Sequence, residues 1–434
     1  MLPIASLSAP ELAAYTERAS RDYDALCNKR LRIDMTRGKP GPDQLALSSA
    51  MLTLPGNGDY FLADGGDARN YFGSVQGLPE TRALFSRMLG APPERITVGN
   101  NSSLALMHDC IVYALLKGVP GGSRPWSADQ PITFLCPAPG YDRHFAICED
   151  YGIRMVSVAM TGEGPDMDEV ERLVLDPAVR GMWCVPKYSN PTGETYSRST
   201  VERIARMRTG APDFRVFWDN AYSVHHLTDE AVEIANILEL CEEAGNADRA
   251  FVFASTSKIT FAGAGLGLFA ASARNIEWFA ARSGKRTIGP DKLNQLRHVR
   301  FLRDDAGLQR LMQSHRALLA PKFAAIDKIF ERRLGGAGIA RWSKPKGGYF
   351  VSVDVQDGCA KAVVALAKEA GIAMVPGGQT FPYRHDPNDR NLRIAPSFPS
   401  LEEVTAAADG IAICIQLAAA RQLGTLPAAD RKSA

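Results

Sequence analysis

FRVFWDNAY, residues 214–222, and AFVFASTSK, residues 250–258, share one pattern: an apolar run that breaks off into polar residues. Runs of this length, rich in aromatic and β-branched side chains, are the signature of strands covered on both faces. Three more precede them, ITFLCPAP (132–139), IRMVSVAM (153–160) and MWCVPKY (182–188). Amphipathic stretches such as MDEVERLVL and STVERIARMR lie between the runs and read as helices. This alternation predicts βαβ units and an α/β fold with a mostly parallel central sheet. In such a sheet, ligands bind where the strands end.

Beyond residue 300 the pattern changes. A long helical stretch, LQRLMQSHRALLAPKFAAIDKIFERRL, is followed by KGGYFVSVDV, another helix and NLRIAPSFP, which predicts a smaller α+β domain. Near the start, a helix over ELAAYTERASRDYDALCNKR gives way to RIDMTRGKPGP, whose Gly and Pro content suits a loop close to a ligand. The expected division is an N-terminal arm over 1–45 that joins the small domain, a large ligand-binding domain over 46–300 and a small C-terminal domain over 301–434. The terminal TLPAADRKSA reads as a frayed tail.

With 434 residues, 45% of them hydrophobic and 23% charged, the chain can build one large or two smaller cores. Its 50 Lys and Arg against 48 Asp and Glu leave +2, so no overall field draws nucleic acid or an anionic membrane, and neither partner is expected. An anionic ligand must then be held by a local site. The eight cysteines (Cys27, Cys110, Cys136, Cys148, Cys184, Cys241, Cys359, Cys414) are scattered without metal-ligand spacing, as in a reduced cytoplasmic protein. MLPIASLSAPELAAY lacks a basic start followed by a long apolar stretch, and no run of about 18 uncharged apolar residues occurs. Secretion and membrane spanning are therefore not expected.

Four strand-end or loop motifs carry the polar residues. FWDNAY places Asp219 just past an apolar run with Tyr222 three residues on, and STSK places Ser255 and Lys258 after another. KYSNPTG supplies Asn190, and TVGNNSSLALMHD sets Asn101, Ser102 and Ser103 at a helix start. Singly, these are a solvated lysine, a capping aspartate, a turn and a helix cap. In combination they supply what pyridoxal 5′-phosphate requires: a lysine for its Schiff base, a carboxylate for the pyridine nitrogen, donors to O3′ and a phosphate cradle. Lys258 is expected to form the aldimine and later to shuttle a proton, and Asp219 to keep the pyridine protonated. Asn190 and Tyr222 donate to O3′, while the helix start at Asn101, Ser102 and Ser103, with the hydroxyl of Ser255, suits a phosphate dianion.

The series NYFGSVQGLPETR, GNNSSLAL, CPAPGYDRH, SNPTG, DNAY, STSK, KGGYF and NLRIAPS resembles, in order and across nearly the whole chain, the fold type I, class I/II aminotransferases. RGKPGP, STSKITFAGAG and IGPDKLNQLRH are similar to the aspartate aminotransferases related to the aminotransferase domain of MocR-type regulators. The resemblance implies amino transfer between an L-amino acid, aspartate or glutamate, and a 2-oxo acid. It places Tyr141 where an aromatic stacks on the cofactor ring, and Tyr71 where a tyrosine reaches the phosphate of the partner subunit in a homodimer. Arg393 falls at the arginine that grips the substrate α-carboxylate, with Asn190 beside the substrate and Gly38 near its entrance. Where many members carry a phosphate-binding arginine eight residues after the lysine, this chain has Leu266. Lys292, Asn294 and Arg297 are candidates to replace it, and Arg37, Lys39 and Arg297 are candidates for a side-chain carboxylate.

Other classes are weighed against this. A lyase or cyclopropane-forming synthase of the same fold uses the same lysine, aspartate and tyrosines, so only substrates separate it. A MocR-like transcriptional regulator carries a DNA-binding module and a linker ahead of this domain, whereas RGKPGP here begins by residue 37. A nicotinamide-dependent oxidoreductase is prompted by GAGLG, yet the pattern is GxGxG and no acidic strand end follows at the required distance.

Overall fold

The computed structural model describes residues 3–71 and 73–426; the tail expected at the C-terminus lies, from residue 427 on, outside the described residues. Seven strands form the central sheet: β1 (Ile96–Val98), β2 (Thr133–Ala138), β3 (Arg154–Ala159), β4 (Val179–Cys184), β5 (Arg215–Asp219), β6 (Ala250–Ser255) and β7 (Gly267–Ala270). Their order is β1-β7-β6-β5-β4-β2-β3, and β7 alone runs antiparallel to its neighbours. This is the α/β, mostly parallel arrangement that the apolar runs predict. One strand is displaced: the run expected over 182–188 pairs only through Cys184, which faces Trp218. Pro186, two residues on, has no N–H to give a ladder. The short β1 and β7 leave too brief an apolar run to be read as strands.

Within β5 and β6 every residue is buried, and the two faces differ. Val216, Trp218, Val252 and Ala254 face one core, whereas Phe217, Phe251, Phe253 and Phe269 face the other. The rings of Phe217 and Phe253 stack at 5.9 Å, and those of Phe253 and Phe269 at 5.2 Å. Burying each such ring stabilises the sheet by about 1.5–3 kcal/mol. These cores hold the carboxyl ends of β5 and β6 at fixed height.

A separate core gathers the two ends of the chain. Helix α1 (Ala9–Asn28) packs there with a three-stranded antiparallel sheet of β8 (Ala340–Trp342), β9 (Val351–Val355) and β10 (Asn391–Ile394). Ile33–Asp34 pairs in parallel with Ile372–Ala373, tying the N-terminal segment to this body. Four helices matter to the account besides α1: α2 (Ser103–Lys117), α3 (Asp142–Asp150), α4 (Asp305–Leu334) and α5 (Leu401–Thr425). Helix α4 serves both bodies, since Leu308 and Met312 enter the central core and Phe323 and Phe330 the terminal one. Helix α5 is long and apolar enough to cross a membrane by length and composition, but 72% of its most apolar window is buried inside the fold. It is a core helix.

Candidate active site

A cavity of about 200 Å³ opens at the carboxyl ends of β5 and β6. Its wall brings together Ser102, Ser103, Tyr141, Asn190, Asp219, Tyr222, Ser255 and Lys258, residues spread over more than 150 positions of sequence. Tyr141, Asn190, Tyr222 and Lys258 also line a second cleft of about 610 Å³, which reaches Arg37, Gly38, Lys39 and Arg393.

Asp219 is the last residue of β5 and is buried. Its Oδ2 lies 3.1 Å from His144 Nε2, while Oδ1 is buried with no partner. A buried carboxylate oxygen left unpaired is destabilising, so the geometry calls for a donor or cation from within the cavity. His144, on the first turn of α3, stacks on Trp183 of β4 with centroids 4.3 Å apart and planes 9° from parallel. Tyr141, which precedes α3, stands edge-on to His144 at 4.9 Å, and burial pushes its phenol up to about 12. Sequence reading gave His144 no part. Its signal was the spacing alone: it stands three residues after Tyr141, in the first turn of the helix that Tyr141 precedes.

Lys258 follows β6 by three residues, and its Nζ sits 4.8 Å from the centre of the Tyr222 ring. Burial pushes its ammonium below the ordinary lysine range, opposed by the charge of Asp219. Burial likewise raises the Tyr222 phenol. The backbone carbonyl of Lys258 accepts from Tyr349 Oη at 3.2 Å and lies 3.2 Å from His225 Nε2. The lysine backbone is therefore fixed by side chains from both bodies.

At the other end of the cavity, Ser102 caps α2, its Oγ accepting from the Ala105 N–H at 3.3 Å. The first N–H groups of a helix have no intrahelical acceptor, so those of Ser103 and Leu104 are available to an anion. Gly267 of β7 lets the helix start come close, because a Cβ there would lie 2.6 Å from the Ser102 carbonyl oxygen. Ser257, unassigned in the sequence reading, joins Ser255 on the wall. Asn101 is exposed instead, its Nδ2 3.5 Å from the Gly263 carbonyl, and does not line the cavity.

Leu266 is a core residue whose N–H donates to Thr256 Oγ1 at 2.8 Å. None of the three candidates to replace the missing arginine lines the cavity of its own chain. Asn294 Nδ2 donates to the carbonyls of Ala264 and Gly265 at 3.1 and 2.9 Å, and Arg297 Nε donates to that of Leu54 at 2.8 Å. Lys292 approaches Gly73 and Gly289. Tyr71 is also absent from the wall and is 80% exposed.

On the cleft side, Arg393 of β10 is buried and lies 5.0 Å above the Phe350 ring. Its Nη1 donates to Asp142 Oδ1 at 2.9 Å and to Asn190 Oδ1 at 3.4 Å, while Nε is buried without a partner. Gly38 packs on the same ring, so closely that a Cβ would sit 2.5 Å from Phe350 Cζ. Arg37 and Lys39 line the cleft together with Arg143 and Arg384, whereas Arg297 does not. Asp142 also went unread in the sequence, where an acidic residue in the first turn of a helix is ordinary capping.

These groups fit pyridoxal 5′-phosphate: an unpaired buried carboxylate oxygen to accept from a ring N–H, a desolvated lysine amine for an aldehyde and a helix N-terminus for a phosphate. Comparison with known proteins points the same way. The family model described as aspartate amino-transferase matches residues 7–426. A Mycolicibacterium smegmatis protein described as an aminotransferase is 56% identical over 421 residues, 96% of this chain and 98% of its own. An aspartate aminotransferase of Corynebacterium glutamicum is 48% identical over 412 residues, 95% of each chain. The crystal structure of an aspartate transaminase from that organism superposes with a TM-score of 0.95 at 47% identity, covering 97% of this chain and 99% of that one.

Proposed function

The chain belongs to the aspartate aminotransferase family, and from that premise we propose that it moves the amino group of L-aspartate or L-glutamate to a 2-oxo acid, with pyridoxal 5′-phosphate in the 200 Å³ cavity. The observation that carries this reading is the pairing of an unpartnered, buried Asp219 Oδ1 with a desolvated Lys258 amine on one cavity wall. When bound, the cofactor supplies an electron sink for the bonds at the substrate Cα.

The residues divide the remaining work. Asp219, oriented by His144, holds a proton on the ring nitrogen. Tyr141 would cover the ring, and Asn190 and Tyr222, on the same wall, would donate to its phenolic oxygen. The N–H groups at the start of α2, with the hydroxyls of Ser255 and Ser257, hold the phosphate. Lys258 holds the cofactor at rest and, once released, carries the proton to and from the substrate Cα; its lowered basicity favours the neutral amine that such transfer needs. Arg393 offers its Nε and Nη2 to the α-carboxylate. The cationic rim of Arg37, Lys39, Arg143 and Arg384 suits a second carboxylate.

Residues 46–300 would then form the cofactor-holding domain and 301–434, joined by 1–45, the smaller one; the separate cores support two bodies, although Leu302, Leu308, Leu311 and Met312 pack into the larger one. Tyr71 would complete the phosphate site of a second copy, which accounts for its exposure. The eight free cysteines suit the reducing cytoplasm. An assay of oxaloacetate formed from L-aspartate and 2-oxoglutarate tests the reading. The cofactor-loaded wild type is expected to turn over at about 1–1000 per second, and Lys258→Ala not at all. Equal turnover in the two proteins would overturn it.

A further inference from the structure

A guanidinium can grip a carboxylate through either of two forks, Nη1 with Nη2 or Nε with Nη2. In Arg393 the choice is already made. Nη1 is held by Asp142 Oδ1 at 2.9 Å and by Asn190 Oδ1 at 3.4 Å, so the first fork is taken. Nε is buried and unpaired, so the second fork awaits a ligand. The backbone of Arg393 is fixed in β10 by pairing with Ser352, and Phe350 supports the guanidinium from below. The free variable is rotation about the long side chain, and Asp142 removes it.

Asp142 is itself well placed for this. It is the first residue of α3, adjacent to Tyr141, and its side chain is 18% exposed within the cleft. Arg393 belongs to the terminal body and Asp142 to the central one, so their ion pair also bridges the two across the cleft. We propose that Asp142 is a positioning residue: it pins Nη1 of Arg393 so that the Nε and Nη2 edge faces the incoming α-carboxylate. The proposal rests on the reading of Arg393 as the carboxylate-binding residue. An arginine immobilised before binding loses less freedom on binding, so the gain appears as affinity for every α-carboxylate substrate. A pinned fork also fixes where Cα stands relative to Lys258.

The rival role for the same contact is competition, with Asp142 occupying the arginine until substrate displaces it. The two roles predict opposite signs. In cofactor-loaded Asp142→Ala, we expect KM for L-aspartate and for 2-oxoglutarate to rise by about tenfold or more, with kcat changed less than about threefold. Binding of maleate, a dicarboxylate that cannot react, measured by calorimetry on the same protein, should weaken by the same factor. Asp142→Asn keeps an oxygen that accepts from Nη1 and should stay within about threefold of wild type. An unchanged or lowered KM in Asp142→Ala overturns the proposal, as does an Asn variant no better than Ala. Arg393→Ala run in parallel separates the two levels: if it leaves KM and maleate binding unchanged, the assignment of the arginine fails, whatever Asp142 does.

Discussion

At one end of the 200 Å³ cavity, Asp219 and Lys258 share the wall, and behind Asp219 lies His144, stacked on Trp183. At the other end, Leu266 is buried in the core, Tyr71 is 80% exposed, and the lining offers a helix N-terminus and serine hydroxyls. The ring end thus draws its polar groups from one chain, and burial lowers the basicity of the Lys258 amine there. On the proposed reading, the other end would hold the phosphate through neutral donors, with a second copy adding Tyr71. Catalytic power is expected to depend on the first end and cofactor retention on the second.

The comparison can be broken most directly at the ring end. Lys258→Ala should lose at least about 10⁴-fold in kcat while still taking up the cofactor weakly, as measured by turnover and by dialysis. Asp219→Ala should lose about 10²–10⁴-fold, and His144→Ala, which leaves Asp219 in place, about tenfold; an effect of His144→Ala as large as that of Asp219→Ala would mean the histidine does more than orient. At the phosphate end the effect should appear in affinity. Tyr71→Phe is expected to raise the Kd for pyridoxal 5′-phosphate about tenfold with little change in kcat at saturating cofactor. No change in Kd would show that one chain holds the phosphate unaided.

The smallest effect concerns stability of the cofactor-free protein. The Lys258 amine has a folded pKa below its unfolded one, so the unfolded chain holds the proton more tightly. The penalty is fully present below the folded pKa and fades as pH rises to the unfolded value near about 10.4. Lys258→Met should therefore melt a few degrees above the cofactor-free wild type at neutral pH, and the gap should close as pH rises. A gap that widens with pH would mean the lysine is stabilised by its surroundings, and the ring end would not be poised as described.

The same contrast governs what could be read from sequence. Asp219, Tyr222 and Lys258 stand where apolar runs stop, and strand ends in a parallel sheet converge on one edge, so local pattern and topology sufficed. Arg393 and Gly38 come from the chain's far ends, and only the family resemblance singled them out. Asp142 and His144 sit in a helix start whose polar residues read as capping, and the pairing with Arg393 spans 251 positions. Spacing carries no trace of such a contact. Strand β4 ends earlier than its apolar run because Pro186 stops the ladder, a backbone effect that hydrophobicity does not register. Asn101 lies one residue outside the cavity because Ser102 takes the capping role.

The central claim is that Lys258 and Asp219 together hold pyridoxal 5′-phosphate and use it for amino transfer. Its most direct test is the absorption spectrum of the cofactor-loaded protein before and after L-aspartate is added. A band near about 420 nm that moves to about 330 nm with aspartate is the predicted result. A protein that shows no band even with excess pyridoxal 5′-phosphate would contradict the account.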